Sequence, residues 1–199
     1  MNGPVKEIPQ GYIASGSVSL KKIGDLTAMV IWSLVLPALT VPLLIAVLRP
    51  GKSGAFSVSI NTPWSLLATL GGILLTTLVM VIIHEGLHGL VFWLSTGEAP
   101  RFAFKWYYAS ASPGDWYMPR NVFLVATLLP LVAITTAGLL LLPLTSSFLR
   151  YMLVLLIVFN ASGCAGDMLV ALLLFRLPAA TLSRDTGDSV TFYSPATGG

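Results

Sequence analysis

Charged residues are scarce in this chain of 199 residues, at 10% Asp, Glu, Lys and Arg, whereas soluble domains average about 25%. This scarcity argues against a water-soluble globular protein. Hydrophobic residues make up 55% of the chain and the mean hydropathy is +0.85, which also argues against intrinsic disorder and low-complexity sequence. A small integral membrane protein remains, with the lipid bilayer as its first expected partner.

Cysteine is nearly absent, and the basic residues form no cluster. Cys164 is the single cysteine, so the chain forms no internal disulfide. The 11 Lys and Arg residues lie singly or in pairs and make no stripe that follows phosphates. Nucleic acid is therefore not an expected partner.

Long apolar runs predict about four transmembrane helices, because a helix needs about 20 residues to cross a bilayer. The predicted spans are 26–48, 64–94, 122–144 and 149–175. Polar tails remain at 1–25 and 176–199. We therefore predict an all-α polytopic membrane protein, with a single membrane-embedded domain over residues 1–199.

The connection between the second and third spans differs from the rest of the chain. Residues 101–108 alternate with a period close to two, which predicts a short extended segment or β-hairpin insert. Its edge could accept an extended substrate strand, and a plain surface hairpin is the alternative.

The distribution of basic residues predicts the orientation in a cell membrane. With four spans, the two tails and the 95–121 connection share one side. That side carries eight Lys and Arg residues and the other carries three: Lys6, Lys21, Lys22, Arg101, Lys105, Arg120, Arg176 and Arg184 against Arg49, Lys52 and Arg150. The positive-inside rule therefore places both termini in the cytoplasm.

Few residues inside the spans can bind a metal or exchange protons: His84, Glu85, His88 and Asp167. A charged side chain at mid-bilayer costs at least about 2.5 kcal/mol, so these groups need pairing, water or a metal. The first three form the pattern His-Glu-x-x-His, which puts both imidazoles on one helix face, where they can reach one Zn²⁺. Glu85 is then placed to act as a general base on water. An accidental polar pair in a helix bundle is the alternative.

A catalytic zinc ion needs a third protein ligand, and Asp167 in the fourth span is the candidate. His84 and Asp167 lie about ten and about nine residues from span ends on the same side, so both are roughly 13–17 Å below one surface. Asn160, two turns earlier on the same face, could orient the site or hold substrate backbone, with a plain interhelical hydrogen bond as the alternative. We expect Cys164 to be a small buried residue, because a fourth protein ligand leaves no position for water.

These residues give the chain a resemblance to the site-2 protease class of intramembrane zinc metalloproteases. The chain is more closely similar to a small membrane family described as "putative zincin peptidase", over about residues 64–193, in the segments VIIHEGLHGLVFW, YYASASPGDWYMPR and NASGCAGDMLV. The resemblance implies His84, His88 and Asp167 as zinc ligands and Glu85 as the base. The spacing from Asn160 to Asp167 departs from the N-P-D-G type motif of site-2 proteases, and the family implies no known substrate.

The leading functional hypothesis is an intramembrane zinc endopeptidase acting on membrane proteins or peptides. One alternative is a zinc-binding membrane protein without proteolysis, such as a transporter or sensor, although the first and third spans offer no acidic or His residue to line a path. Others are a pseudoenzyme acting as a membrane chaperone or adaptor and a zinc-dependent hydrolase of a lipid-type substrate. The motif specifies an activated water and leaves open the bond that is cleaved.

Overall fold

Five α-helices make up most of the part of the chain that the structure describes. The computed structural model describes residues 3–19, 21–48, 60–105 and 108–196. The helices are α1 (Ile23–Val47), α2 (Pro63–Thr96), α3 (Arg120–Leu141), α4 (Ser147–Gly163) and α5 (Ala165–Arg176). A 3₁₀ turn, Leu142–Leu144, follows α3. Most of the predicted loop after the first span, with Arg49 and Lys52, and residues 106–107 of the predicted extended segment lie outside the described residues.

Within the described ranges, six short strands form two antiparallel sheets. The strands are β1 (Tyr12–Ser19), β2 (Arg101–Lys105), β3 (Tyr108–Ser112), β4 (Met118–Pro119), β5 (Leu182–Asp185) and β6 (Ser189–Pro195). Strands β2 and β3 pair only with each other between α2 and α3 in the described part of the chain. The other four strands form a sheet in the order β1-β6-β5-β4.

The four-stranded sheet corrects the prediction of an all-α chain with polar tails. Each tail contains strand structure, β1 in the N-terminal tail and β5 and β6 in the C-terminal tail, and β1 pairs with β6 along its length. The sequence signal in the N-terminal tail is weak because β1 is rich in Ser, Gly and Ala. Pairing between the two ends of a chain also leaves no local pattern to detect.

Helices α1, α2 and α3 are each long and apolar enough to cross a membrane. The predicted fourth span is two helices, because α4 and α5 are bent by 45° at Cys164, and the pair adds a fourth span if it crosses as one. Gly163 and Gly166 flank the break, where they lower the cost of interrupting a helix. Many large apolar side chains on α1 and α2 are exposed, as expected for surfaces that face lipid.

The four-stranded sheet gathers the helix ends at one end of the molecule. It joins the segment before α1, the segment before α3 and the segment after α5. A buried apolar cluster continues from the sheet into the helices, with Val18, Phe92, Met118, Phe123 and Phe192 among its members. The C-terminal ends of α2 and α5 therefore lie at the same end of the molecule, as the comparison of depths for His84 and Asp167 requires.

The local sequence defines both ends of α2, the helix that carries the histidines. Thr62 and Ser65 form a capping box, with Pro63 at the first helical position. The helix ends at Gly97, whose φ of 72° is left-handed and suits glycine. These signals extend the predicted span 64–94 by a few residues.

Cysteine labelling tests this arrangement and its orientation in the membrane. Single cysteines are placed in a Cys164→Ser background at exposed positions: Ser15, Ala99 and Ala179 near the sheet, and Asn61 and Ser146 at the other end. An impermeant thiol reagent should reach the first three only from the cytoplasmic side and the other two only from the opposite side. Labelling of Ala99→Cys and Ala179→Cys from opposite faces would contradict the shared end. Labelling of both from outside would contradict only the orientation.

Candidate metal centre and cavity

One face of α2 carries both histidines toward the other helices. His84 and His88 are 7% and 8% exposed, and their ring centroids are 4.8 Å apart. Ile82, Ile83 and Leu90 on the remaining surface of the helix are exposed. The i, i+4 spacing therefore gives one buried polar face in a helix that is otherwise apolar.

The helix break positions the predicted third ligand. Asp167 lies in the first turn of α5, where the helix dipole favours a carboxylate. Its two oxygens are 3.3 Å from His84 Nε2 and 3.5 Å from His88 Nε2. The two Nε2 atoms are 3.1 Å apart. The structure thus brings together the three residues that the sequence predicts as ligands.

Hydrogen bonds on the far side of each ring fix which nitrogen carries the proton. Asn160 Nδ2 donates to the carbonyl of Pro130 at 3.1 Å, and this carbonyl can only accept, so Asn160 Oδ1 faces His84. His84 Nδ1 donates to that Oδ1 at 3.0 Å. His88 Nδ1 donates to the carbonyl of Ala126 at 2.9 Å. Each neutral imidazole therefore has its lone pair on Nε2.

Two imidazole lone pairs and one carboxylate lie close together, which is unfavourable in a buried place unless a proton or a metal cation lies between them. A tetrahedral zinc site with Zn–N distances of roughly 2.0–2.1 Å has ligand atoms roughly 3.3 Å apart. Here the two Nε2 atoms are 3.1 Å apart, and the carboxylate lies 3.3 Å from His84 Nε2 through one oxygen and 3.5 Å from His88 Nε2 through the other. The donor set, in number, type and spacing, fits a zinc ion.

Cys164 offers a competing set of donors. His84, Cys164 and Asp167 have ligand atoms that all lie within 4.8 Å of one another. However, Cys164 Sγ is 3.9 Å from His84 Nδ1, the nitrogen that already bonds Asn160. The Nε2 set needs no bond to be broken and includes His88, so we favour it over the set with Cys164. Cys164 is fully buried, as expected from the sequence.

A cavity of about 420 Å³ opens beside the three candidate ligands. Glu85 lines it together with both histidines and Asp167, and Ala111 of β3 lines it as well. Apolar side chains of α1 and α3 form much of the rest of the lining. Strand β3 and the turn between β5 and β6 also contribute, so the cavity extends from the helices to the strands.

The turn between β5 and β6 is tied to the β2–β3 hairpin beside this cavity. Asp188 in the turn accepts hydrogen bonds from Lys105 Nζ, at 2.6 Å, and from the hydroxyl of Tyr108. These bonds hold the pKa of Asp188 below its usual value. The contact joins the two β structures that border the cavity.

Sequence reasoning did not identify several residues that shape the site. Asp185 lines the cavity from β5, and Ala126 and Pro130 hold the imidazole network through backbone carbonyls. Backbone acceptors leave no signal in side-chain chemistry. The one signal in the sequence is a proline inside an apolar span, Pro130, because a proline leaves a backbone carbonyl without its helical donor.

The fold and the cluster define a class: a largely helical protein with candidate membrane spans and a buried His, His and Asp cluster. The model of the family described as "putative zincin peptidase" matches residues 77–182, more than half of the chain. The chain belongs to this family, and the description suggests a zinc metallopeptidase. No curated protein and no solved structure matches the chain.

The pKa of Asp185 gives a pH-dependent prediction. Burial raises this pKa from 3.8 to about 7, against the opposing hydrogen bond from the backbone N–H of Gly187. Between about pH 4 and pH 7 the unfolded chain binds fewer protons here than the folded one, so stability falls as pH rises. In Asp185→Asn the amide oxygen can still accept from the N–H of Gly187, but the side chain no longer titrates, so this fall in stability is removed. Its unfolding temperature relative to wild type should therefore rise across this range and level off above it, in chelator-treated protein in detergent.

The matched control is Asp188→Asn in the same turn, because the pKa of Asp188 is lowered. Its carboxylate stabilises the fold above the unfolded pKa, and the contribution is lost as pH falls. This variant should therefore be destabilised relative to wild type at neutral pH and approach wild type in acid. A constant difference between Asp185→Asn and wild type from pH 4 to pH 8 would contradict the raised pKa.

Proposed function

We propose that the protein is an intramembrane zinc metalloprotease of the site-2 type, with His84, His88 and Asp167 as zinc ligands. The observation that carries the proposal is the meeting of two imidazole lone pairs and one carboxylate, 3.1–3.5 Å apart, inside a helix bundle. Membership of the zincin peptidase family supports zinc as the ion. Three protein ligands leave one position open, as catalytic zinc sites require.

Zn²⁺ bound there would acidify a water molecule and polarise a scissile carbonyl. Glu85 follows His84 in the motif and lines the same cavity. Its carboxylate accepts the proton of the attacking water and then donates it to the leaving nitrogen. Asn160 acts from behind the site, since its oxygen accepts from His84 Nδ1 and it does not line the cavity. Its role in this proposal is to orient His84.

The substrate in this proposal is an unwound segment of a membrane protein or peptide, because a helical peptide bond is shielded and its carbonyl is already bonded. Strand β3 lines the cavity, whereas β2 is exposed along its length. An extended substrate can lie against the β2–β3 sheet with its scissile bond near Glu85.

A zinc-dependent hydrolase of a lipid-type substrate is the second candidate. The apolar lining of the cavity favours it, with Leu26, Met29 and Val30 from α1 and Phe92 and Phe123 from α2 and α3. The same zinc chemistry would act on an ester or related bond. A cleavage assay that offers both single-span protein substrates and lipid esters separates the two candidates.

Zinc content is the first test of this proposal. Purified wild-type protein should carry about one Zn²⁺ per chain by elemental analysis, because three ligands and one water complete the tetrahedral site. His84→Ala and His88→Ala should each reduce the zinc content far below that of wild type. Cys164→Ser is the control that separates the two donor sets, and it should retain zinc. Zinc lost in Cys164→Ser and kept in His88→Ala would favour the set with Cys164.

Separate variants distinguish the base from the ligands. Glu85→Gln should keep its zinc and lose activity by about 10²-fold or more, since the amide cannot accept a proton and barely changes shape. Asp167→Ala should lose both zinc and activity. Zinc content and turnover of a single-span substrate are measured on the same preparations. Equal loss of zinc in the two variants would mean that Glu85 is a ligand.

A further inference from the structure

Pro130 lies in the middle of α3 and is fully buried. Proline has no backbone N–H, so it cannot make the helical hydrogen bond to the carbonyl four residues earlier. That carbonyl belongs to Ala126. Inside an apolar bundle, a carbonyl without its helical donor needs another partner.

The partner of this carbonyl is His88. Its Nδ1 donates to Ala126 O at 2.9 Å, and both residues are buried. The proline therefore leaves free the acceptor that orients one candidate ligand. In return, the imidazole satisfies the carbonyl that the proline leaves without its helical donor.

The carbonyl of Pro130 itself reaches the second histidine through Asn160. It accepts from Asn160 Nδ2 at 3.1 Å, and Asn160 Oδ1 accepts from His84 Nδ1 at 3.0 Å. Asn160 is 0% exposed. One turn of α3, from Ala126 to Pro130, thus sets the proton position on both imidazoles.

A second proline in the same protein shows the same relation. Pro37 in α1 cannot bond the carbonyl of Ser33, and that carbonyl accepts from the hydroxyl of Ser162 in α4 at 3.0 Å. At two helical prolines, therefore, a side chain of another helix donates a hydrogen bond to the carbonyl that the proline leaves without a helical donor. At Pro130 that bond comes from a candidate zinc ligand.

We propose that Pro130 is a positioning residue of the metal site, because it leaves Ala126 O free for His88 and supplies its own carbonyl to Asn160. This inference rests on the proposed zinc-binding role of the histidines. Residues that hold metal ligands in place commonly contribute 10- to 100-fold to metal affinity. Replacing Pro130 by a residue with an N–H gives Ala126 O a competing donor and loosens His88.

The test measures zinc affinity of full-length protein in detergent by chelator competition. Pro130→Ala and the closer match in volume, Pro130→Val, should bind zinc 10- to 100-fold more weakly than wild type. Cobalt-substituted samples should show an altered visible spectrum. The unfolding temperature of chelator-treated protein should stay equal or rise, because proline is the least favourable residue inside a helix. Pro42→Ala, which removes an exposed helical proline of α1, is the matched control and should match wild type in affinity and spectrum.

Each outcome decides between the possibilities. Wild-type zinc affinity and an unchanged cobalt spectrum in both Pro130 variants would overturn the positioning role and leave the zinc site intact. Loss of folding in both variants would also overturn it, since the proposal requires a change confined to the metal site. A wild-type protein that binds no zinc would contradict the proposed function itself. Zinc binding by the wild type is therefore measured first.

Discussion

The site depends on one constraint, that a polar group buried among apolar helices must have a partner. The Nδ1 atoms of both imidazoles obey it. Each Nδ1 donates to an oxygen held by α3 or α4, which turns each Nε2 toward Asp167. The two Nε2 atoms and the Asp167 carboxylate have only one another in the described structure, and a proton or a metal cation between them resolves their repulsion. The hydrogen bonds of the Nδ1 atoms thus orient the Nε2 atoms toward the candidate metal site.

Two irregularities in the helices make this arrangement possible. The break between α4 and α5 puts Asp167 at a helix N-terminus, and Pro130 leaves a carbonyl of α3 free for a side chain. Regular helices would have kept both backbones bonded internally and offered neither feature. In hydrocarbon such irregularities persist only where side chains satisfy the freed groups. The candidate ligands and the helix defects therefore stabilise each other.

How much of the structure the sequence predicts depends on how far apart in the chain the interacting residues are. The facing of His84 and His88 depends only on helical geometry, and the level of Asp167 only on its distance from a span end, so both could be read from the chain. The four-stranded sheet depends on pairing between residues 12–19 and 189–195, which no local pattern encodes. The bend at Cys164 and the bond from His88 to the carbonyl of Ala126 depend on how the helices pack. The spacing of side chains along the sequence does not predict that packing.

The sheet that the sequence did not predict also bears on how water reaches the proposed site. Hydrolysis needs water at Glu85, and the exposed apolar faces of α1 and α2 offer none. The cavity lining continues from Glu85 to Ser110 in β3 and to Asp188 in the turn between β5 and β6. These polar strand residues lie at the end of the bundle where the tails meet. For the proposed hydrolytic site, these residues make the sheet side the polar approach, and Asp188, which bonds Lys105, is part of that lining.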